Sequence, residues 1–348
     1  VGARGNVYRL DGAKYVLTLP NYTKDDLERL YSRLRSMANK GISMGEDSIS
    51  LLFNGAALLF KHIDLEATTI LSELQYALNI SKQENNGELV YLDDQLHGRT
   101  RRSMEILDAV KRSVFNDCRG FYMVYQPQVD RQGRMVGAEA LLRWRDDLWG
   151  MVYPDEYIPA LENSLCFYEL GRWILRTALT EFKTLLNEYP HLCLSVNISY
   201  RQLEKRNFCR DVIKTIQETG FPAEHLILEL TEHCHSMSAD LLRQKLDFLR
   251  ENKIRISADD FGTGYSSLHM LRELSFDEIK IEKSFVLSMN ENKADKLLVE
   301  AIIDCAKKFG IKTCAEGVET LGHFNQLREL GVNRYQGYYF SKPVPEEE

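Results

Sequence analysis

Hydrophobic and polar positions divide the chain into two regions of different texture. In the first hundred residues, two short alternating runs flank Asp11-Gly12, which predicts a β-hairpin. Apolar residues at helical spacing predict a helix over 24–39, followed by a strand over 48–53, a helix over 65–80 and a short strand over 89–91. We expect these elements to form an α+β unit that is too small to close a good core alone.

From about Cys118 onward, short apolar runs alternate with amphipathic segments. Strands are predicted at 121–125, 135–142, 192–196, 226–228, 254–258, 278–281, 312–315 and from 335. Helices are predicted over 173–186, 211–219, 241–252, 268–274, 296–309 and 323–330. Strands that alternate with helices predict parallel pairing through crossovers. About eight such repeats fit the α/β class and a (β/α)8 TIM-like barrel.

Helical spacing over 103–114 predicts a linker helix between the two regions. We therefore expect an N-terminal unit over 1–95, a linker over 96–115 and a barrel over 116–348. The first residues lie in the middle of an alternating pattern, so we expect a fragment that could be the cytoplasmic part of a longer sensor protein.

Composition narrows the class of protein. Of 348 residues, 44% are hydrophobic and 27% charged, as in ordinary soluble proteins of about two domains. The net charge of −7 argues against binding long nucleic acids, but it leaves room for a small anion held through metal ions. Seven scattered cysteines favour a reducing cytoplasm. No apolar run approaches the ~20 residues that span a bilayer, so we expect no membrane contact.

Polar and charged residues stand where the predicted strands end. They are Glu139 with Arg143, Asn197, Glu229, Asp259 with Asp260, Lys280, Glu316 and Gln336. In a barrel these ends converge on the face that carries active sites. Clustered carboxylates need cations nearby, and oxygen ligands favour Mg²⁺ or Mn²⁺. Two such ions would suit an in-line displacement at phosphorus. Taken by itself, the 259–267 loop could also be a plain Asp-Gly turn without a function.

The barrel region resembles EAL domains. The motifs that carry the resemblance are Glu139-Ala140-Leu141-Leu142-Arg143-Trp144, Tyr125-Gln126-Pro127, Val196-Asn197-Ile198-Ser199, Glu229-Leu230-Thr231-Glu232, the 259–267 loop, Lys280-Ile281-Glu282, Ala315-Glu316-Gly317-Val318-Glu319 and Gln336-Gly337-Tyr338. The resemblance covers about two thirds of the chain. It implies a phosphodiesterase that opens cyclic di-GMP to linear pGpG with two Mg²⁺ or Mn²⁺ ions.

The resemblance also implies a role for each matching residue. The metal ligands would be Glu139, Asn197, Glu229, Asp259, Asp260, Glu316 and Gln336, the last two directly or through water. The catalytic residues would be Lys280, Glu316 and Asp260, and the substrate contacts Gln126, Arg143, Tyr338 and Glu319. Glu232 would anchor the 259–267 loop. Glu282 departs from the family, which usually has aspartate there, and this departure puts fine positioning in doubt.

A second resemblance concerns the N-terminal hairpin. The segment 9–17 looks like the hairpin of GGDEF (diguanylate cyclase) domains, but Ala13 and Lys14 replace the acidic pair. Because neither side chain can ligate a divalent cation, the resemblance implies the back half of a degenerate, catalytically dead domain. An unrelated small α/β cap remains the alternative.

Other functions compete with hydrolysis. The barrel could be a receptor that holds cyclic di-GMP without cutting it, although such receptors typically lose part of the acidic ring or the loop. A regulatory scaffold is compatible with either function, and we expect a homodimer. His233-Cys234-His235 could suggest zinc, but ligands so close in sequence seldom close a tetrahedron.

Overall fold

The structure, a computed structural model, describes residues 5–39, 42–44, 47–49, 53–60, 66–84, 88–92, 94–162, 164–231, 238–262 and 271–346. The chain divides into two compact units, Val1–Ile106 and Leu107–Glu348. The boundary falls inside helix α3 (Asp94–Phe115), which contains the predicted linker helix. Glu232, the 233–235 segment and positions 263–267 of the glycine-containing loop lie outside the described residues.

The N-terminal unit contains the predicted hairpin, with β1 (Asn6–Asp11) antiparallel to β2 (Lys14–Thr18). The other elements are α1 (Lys24–Asn39), β3 (Ile42–Met44), β4 (Asp47–Ile49), β5 (Gly55–Leu58), α2 (Ala67–Glu84) and β6 (Leu89–Leu92). Strands β5 and β6 are parallel, and α2 is the crossover between them. The prediction for α1 is confirmed. We did not predict β5, because its Gly-Ala-Ala sequence has low β-propensity.

Eight strands of the second unit form a closed barrel. They are β7 (Phe121–Val129), β8 (Met135–Asp146), β10 (Cys193–Ile198), β11 (Leu226–Thr231), β12 (Arg255–Phe261), β13 (Glu278–Ile281), β14 (Lys312–Ala315) and β15 (Arg334–Tyr335). They are hydrogen-bonded in this order from β7 to β8, then β10 through β15, and back to β7. The short β9 (Gly150–Val152) adds a hairpin to the end of β8. The predicted (β/α)8 class is confirmed.

One part of the barrel prediction was wrong. Strand β7 is antiparallel to both of its neighbours, β8 and β15. The physical reason is the short connection from β7 to β8, where Asp130 N donates to Arg134 O at 2.9 Å and Gly133 N to Asp130 O at 2.9 Å. A turn of this length closes a hairpin, whereas a parallel connection needs about a dozen residues or more.

Helices surround the other strands. They are α4 (Pro154–Leu161), α5 (Leu165–Glu188), α6 (Tyr200–Glu204), α7 (Phe208–Thr219), α8 (Ala239–Glu251), α9 (Lys283–Ser288), α10 (Lys293–Phe309) and α11 (Leu321–Leu330). Helices α7 and α10 end at Gly220 and Gly310, both in the left-handed conformation that glycine adopts readily. No helix in the described part of the chain is long and apolar enough to cross a membrane.

Alternation along the strands separates the two sides of the barrel wall. Leu194, Val196, Leu228, Ile256 and Ile279 are almost fully buried and belong to the hydrophobic core. The intervening positions carry polar residues such as Ser195, Glu229 and Lys280, which are equally buried. Because side chains alternate along a strand, these polar residues share the inner face of the barrel.

Candidate active site

Strand register brings the predicted site residues to one end of the barrel. Asn197 of β10 is in register with Glu229 of β11, and Thr231 of β11 with Asp259 of β12. Glu139 of β8 is in register with Ser195, one side-chain repeat below Asn197. Residues in register on parallel strands point to the same side, so these side chains converge at the carboxyl ends of the strands.

Lys280 lies at the centre of this convergence. Its Nζ is 2.6 Å from Glu229 Oε2, 2.7 Å from Glu316 Oε1, 3.1 Å from Glu139 Oε2 and 3.3 Å from Asp259 Oδ1. The lysine side chain is 1% exposed, and that of Glu229 is completely buried. We call Glu139, Glu229, Asp259, Asp260 and Glu316 the carboxylate ring. Four of these five carboxylates, all except that of Asp260, lie within 3.3 Å of one buried ammonium nitrogen.

The two aspartates of the ring project together because the strand is irregular there. Asp260 has φ +52°, a left-handed conformation that aspartate tolerates better than most residues. The pairing of β12 with β13 also shifts register between Ala258 and Phe261. As a result, carboxylate oxygens of Asp259, Asp260 and Glu316 all lie within 4.8 Å of one another.

Side-chain amides hold the Glu139 carboxylate from both sides. Asn197 Nδ2 donates to Glu139 Oε1 at 2.6 Å, and Gln336 Nε2 donates to Glu139 Oε2 at 2.6 Å. The same Gln336 nitrogen also donates to Gln126 Oε1 at 2.9 Å. Gln126 in turn donates from Nε2 to the carbonyl oxygen of Ser341 at 3.2 Å. The orientation of Glu139 is therefore fixed by these bonds.

The ring carboxylates differ in pKa. Burial raises the pKa of Glu229 well above its ordinary value, because the charges of Glu139 and Asp259 add to burial and Lys280 offsets only part. Burial and the same kind of repulsion raise the pKa of Glu316 to about 8. Burial would also raise the pKa of Glu139, but the Lys280 charge and the amide hydrogen bonds outweigh burial and hold this pKa below its ordinary value.

The charges of Asp260 and Lys280 follow the same logic. Burial and the neighbouring Asp259 charge raise the pKa of Asp260. Burial alone would lower the pKa of Lys280, but the surrounding carboxylates raise it well above its ordinary value. Lys280 is therefore always charged, while the ring holds more negative charge than one lysine neutralises.

The donor set fits a divalent cation. Among the described residues, nothing donates a hydrogen bond to the buried Glu229 Oε1, and Asp259 Oδ1 has only the ion pair with Lys280 Nζ at 3.3 Å. Buried polar atoms almost always have a partner, so a buried carboxylate oxygen without a donor, beside an acidic cluster, is suited to bind a cation. All candidate ligands are oxygen donors, which Mg²⁺ and Mn²⁺ prefer.

The structure does not bring every predicted residue into the ring. Arg143 lies on the same face of β8 as Glu139, and its Nη1 donates to the carbonyl oxygen of Leu142 at 2.7 Å. Tyr338 is 58% exposed, with Lys342 Nζ 5.5 Å from its ring centre. Glu319 is exposed, and its backbone N–H donates to His323 Nδ1 at 3.5 Å. The substrate roles of these residues stay predictions.

Glu282, the departure from the family pattern, caps a helix. It precedes α9, and its Oε2 accepts a hydrogen bond from Ser284 N at 2.8 Å. A glutamate can therefore fix the start of α9, just after the strand that carries Lys280.

Two buried residues near the ring were not predicted from sequence. Gln128 Nε2 donates to Gln336 Oε1 at 3.0 Å, and Arg334 Nη1 donates to Gln128 Oε1 at 3.4 Å. The spacing in the sequence could have indicated them, because Gln128 is two positions from Gln126 and Arg334 is two positions from Gln336. On a strand that spacing places each pair on the same face.

Together, a closed barrel and an oxygen-rich ring place candidate cation ligands at the carboxyl ends of the strands, where barrels of this class carry their active sites. The family model for the EAL domain matches residues 108–343, and the chain belongs to the EAL-domain family. A solved structure described as the PaMucR phosphodiesterase in a c-di-GMP complex is 32% identical, with a TM-score of 0.66, and covers 70% of this chain and 98% of that chain.

Curated relatives match almost the whole chain. The cyclic di-GMP phosphodiesterase NbdA of Pseudomonas aeruginosa is 29% identical over 97% of this chain and 43% of its own length. The bifunctional diguanylate cyclase/cyclic di-GMP phosphodiesterase MucR of the same species is 26% identical over 100% of this chain and 51% of its own length. The chain thus spans about half the length of these relatives.

Proposed function

We propose that the barrel hydrolyses cyclic di-GMP to linear pGpG with Mg²⁺ or Mn²⁺ bound at the carboxylate ring. The observation that carries this proposal is the ring itself, with four carboxylates within 3.3 Å of Lys280 Nζ, a fifth on Asp260, and a buried oxygen of Glu229 that accepts no hydrogen bond from the described residues. Membership of the EAL-domain family supports the substrate, because relatives named as cyclic di-GMP phosphodiesterases match the same region.

The ring residues would hold the cations, with Asn197 as a further oxygen donor. Bound divalent ions would lower the pKa of water and neutralise charge on a phosphate. Asp259 and Asp260 are suited to bind together, because their carboxylates lie within 4.8 Å of each other and of Glu316. Two divalent ions, as predicted from sequence, would together with Lys280 balance the charge of the five ionised carboxylates.

The chain's own groups supply the remaining functions. Lys280 presents a permanent positive charge next to the ring and is suited to stabilise charge on the phosphoryl oxygens. Glu316 has a pKa raised to about 8 in the cation-free ring and would give up its proton when a cation binds. Arg143 would bind a phosphate through its forked donors, and Gln126, Tyr338 and Glu319 would contact the nucleotide.

For the N-terminal unit we propose a degenerate GGDEF-like domain without cyclase activity. The hairpin with Ala13 and Lys14 supports this, as does the match of the whole chain to a relative named a bifunctional diguanylate cyclase. Homodimer formation and a cytoplasmic location remain predictions.

Chromatography of the reaction products tests the proposed function. The purified chain is incubated with cyclic di-GMP and Mg²⁺ or Mn²⁺, beside Glu139→Gln and the exposed control Glu188→Gln. We expect linear pGpG from the wild type and the control only. Intact nucleotide that binds saturably to the wild type would instead support the receptor function. If the wild type shows no binding and no product, both functions are refuted.

A further inference from the structure

A chain of hydrogen-bonded side chains continues from the ring into the interior of the barrel. It runs from Glu139 Oε2 to Gln336 at 2.6 Å, from Gln336 to Gln128 at 3.0 Å, and from Gln128 to Arg334 at 3.4 Å. Arg334 Nε then lies 3.3 Å from Glu278 Oε2. We call Gln336, Gln128 and Arg334 the amide relay.

The relay is shielded from solvent. Gln128 is completely buried, Gln336 is 4% exposed and Arg334 is 7% exposed, while Glu278 at its far end is 3% exposed. A buried amide cannot exchange its partners freely with water, so a lost or reversed hydrogen bond here leaves a polar atom unsatisfied. The orientation of each amide is therefore set by its neighbours in the relay.

The chemistry of the two ends gives the relay a single direction. Arg334 can only donate, so Gln128 must turn its oxygen toward Arg334 and its NH2 group toward Gln336. Gln336 must then turn its oxygen toward Gln128 and its NH2 group toward Glu139. The carboxylate of Glu139 can only accept, so the far end agrees with the direction that Arg334 imposes.

We propose that Gln128 and Arg334 are positioning residues that fix the Gln336 amide with its NH2 group on Glu139. The inference rests on the proposed function in one respect, since it takes Glu139 to be a ligand of the catalytic cation. Gln336 then orients Glu139 and does not bind the cation through its own oxygen, because that oxygen faces Gln128 while the NH2 group faces Glu139. The relay performs the outer-sphere task of holding a ligand carboxylate in one orientation.

Replacing Gln128 by an isostere tests the direction of the relay. Gln128→Met removes both hydrogen bonds at nearly the same volume, and Gln128→Glu keeps the bond to Arg334 but offers Gln336 only an acceptor. In Gln128→Glu the Gln336 amide must reverse and turn its oxygen toward Glu139. Gln217→Glu, an exposed position on α7, is the matched control.

The first readout is Mn²⁺ affinity, measured by electron paramagnetic resonance without nucleotide. Loss of an outer-sphere partner typically weakens metal binding by about 10–100-fold. We therefore expect Gln128→Glu to weaken Mn²⁺ binding within that range and Gln128→Met to weaken it by an amount near the lower end. The affinity of the control should be unchanged. Wild-type affinity in folded Gln128→Glu and Gln128→Met would overturn the proposal.

The second readout is measured and assigned in the wild type, so it decides the question even where a buried variant does not fold. In the metal-free protein labelled with ¹⁵N-glutamine, both hydrogens of the Gln336 NH2 group are bonded, to Glu139 and Gln126. We expect slow exchange and a strongly shifted signal, assigned by its correlations to the Gln336 backbone in uniformly ¹³C,¹⁵N-labelled wild type. A fast-exchanging signal would overturn the relay. If the Gln128 variants bind Mn²⁺ more weakly than the wild type, and the wild type leaves cyclic di-GMP intact, the inference is supported and the proposed function is refuted.

Discussion

Lys280→Met removes the central positive charge and keeps most of the side-chain volume. The substitution leaves Glu139, Glu229 and Glu316 buried without their partner. Breaking a buried ion pair from one side costs about 3–5 kcal/mol. The raised pKa values of Glu229 and Glu316 allow both carboxyls to take up a proton, which offsets part of this cost.

We therefore expect the free energy of unfolding of the metal-free protein to decrease by about 3 kcal/mol, near the lower end of this range. For a unit of this size, roughly 2–4 °C per kcal/mol converts that loss to a decrease of about 6–12 °C in the melting temperature of the barrel. Differential scanning calorimetry measures it, with the exposed Lys308→Met as control. Excess Mg²⁺ should recover more stability in Lys280→Met than in the control, because the cation replaces the missing charge.

Two results would refute this reasoning. An unchanged melting temperature in metal-free Lys280→Met would show that the ring does not depend on the lysine for charge balance. An equal loss with and without Mg²⁺ would show that the cation does not bind among the carboxylates that Lys280 contacts.

Three further predictions concern the same end of the barrel. Cation binding requires ionised ligands, and the raised pKa of Glu316, about 8, means that binding should release protons at pH 7 and fewer at pH 9; calorimetry in buffers of different ionisation enthalpy measures this, and no release at pH 7 would contradict it. Asp260→Asn should fold like the wild type but bind Mn²⁺ more weakly, whereas Asp260→Val should also lose about 1–2 kcal/mol of stability because of the positive φ; equal melting temperatures would contradict this. Gly337→Ala would place its Cβ 2.2 Å from the Val318 carbonyl oxygen and should cost about 1–3 kcal/mol in thermal unfolding, whereas the control Gly322→Ala meets only Thr320 Oγ1 at 3.5 Å and should be neutral or slightly stabilising.

Much of the barrel and of its site could be predicted from the sequence. The apolar runs marked the strands, and residues such as Glu229 and Lys280 stood at strand ends, where the barrel topology brings side chains together. The orientation of β7 was missed because strand–helix alternation was applied to a connection that is only a hairpin. The 130–134 turn, with Asp130 and Gly133, was the overlooked signal.

The internal geometry of the ring could not be predicted from strand ends alone. Which carboxylates contact Lys280 depends on the stagger between strands and on the irregular backbone at Asp260. The relay through Gln128 and Arg334 depends on contacts between residues that lie more than 200 positions apart. Such contacts follow from closure of the barrel, which local patterns do not specify.

The central claim is that the carboxylate ring around Lys280 is a divalent cation site, and counting bound Mn²⁺ tests it most directly. Electron paramagnetic resonance of free Mn²⁺ in a titration gives the number of ions bound per chain. We predict two ions for the wild type and for Glu188→Gln, and weaker or incomplete binding for Glu139→Gln. Binding that does not change in Glu139→Gln, or no binding by the wild type, would contradict the claim.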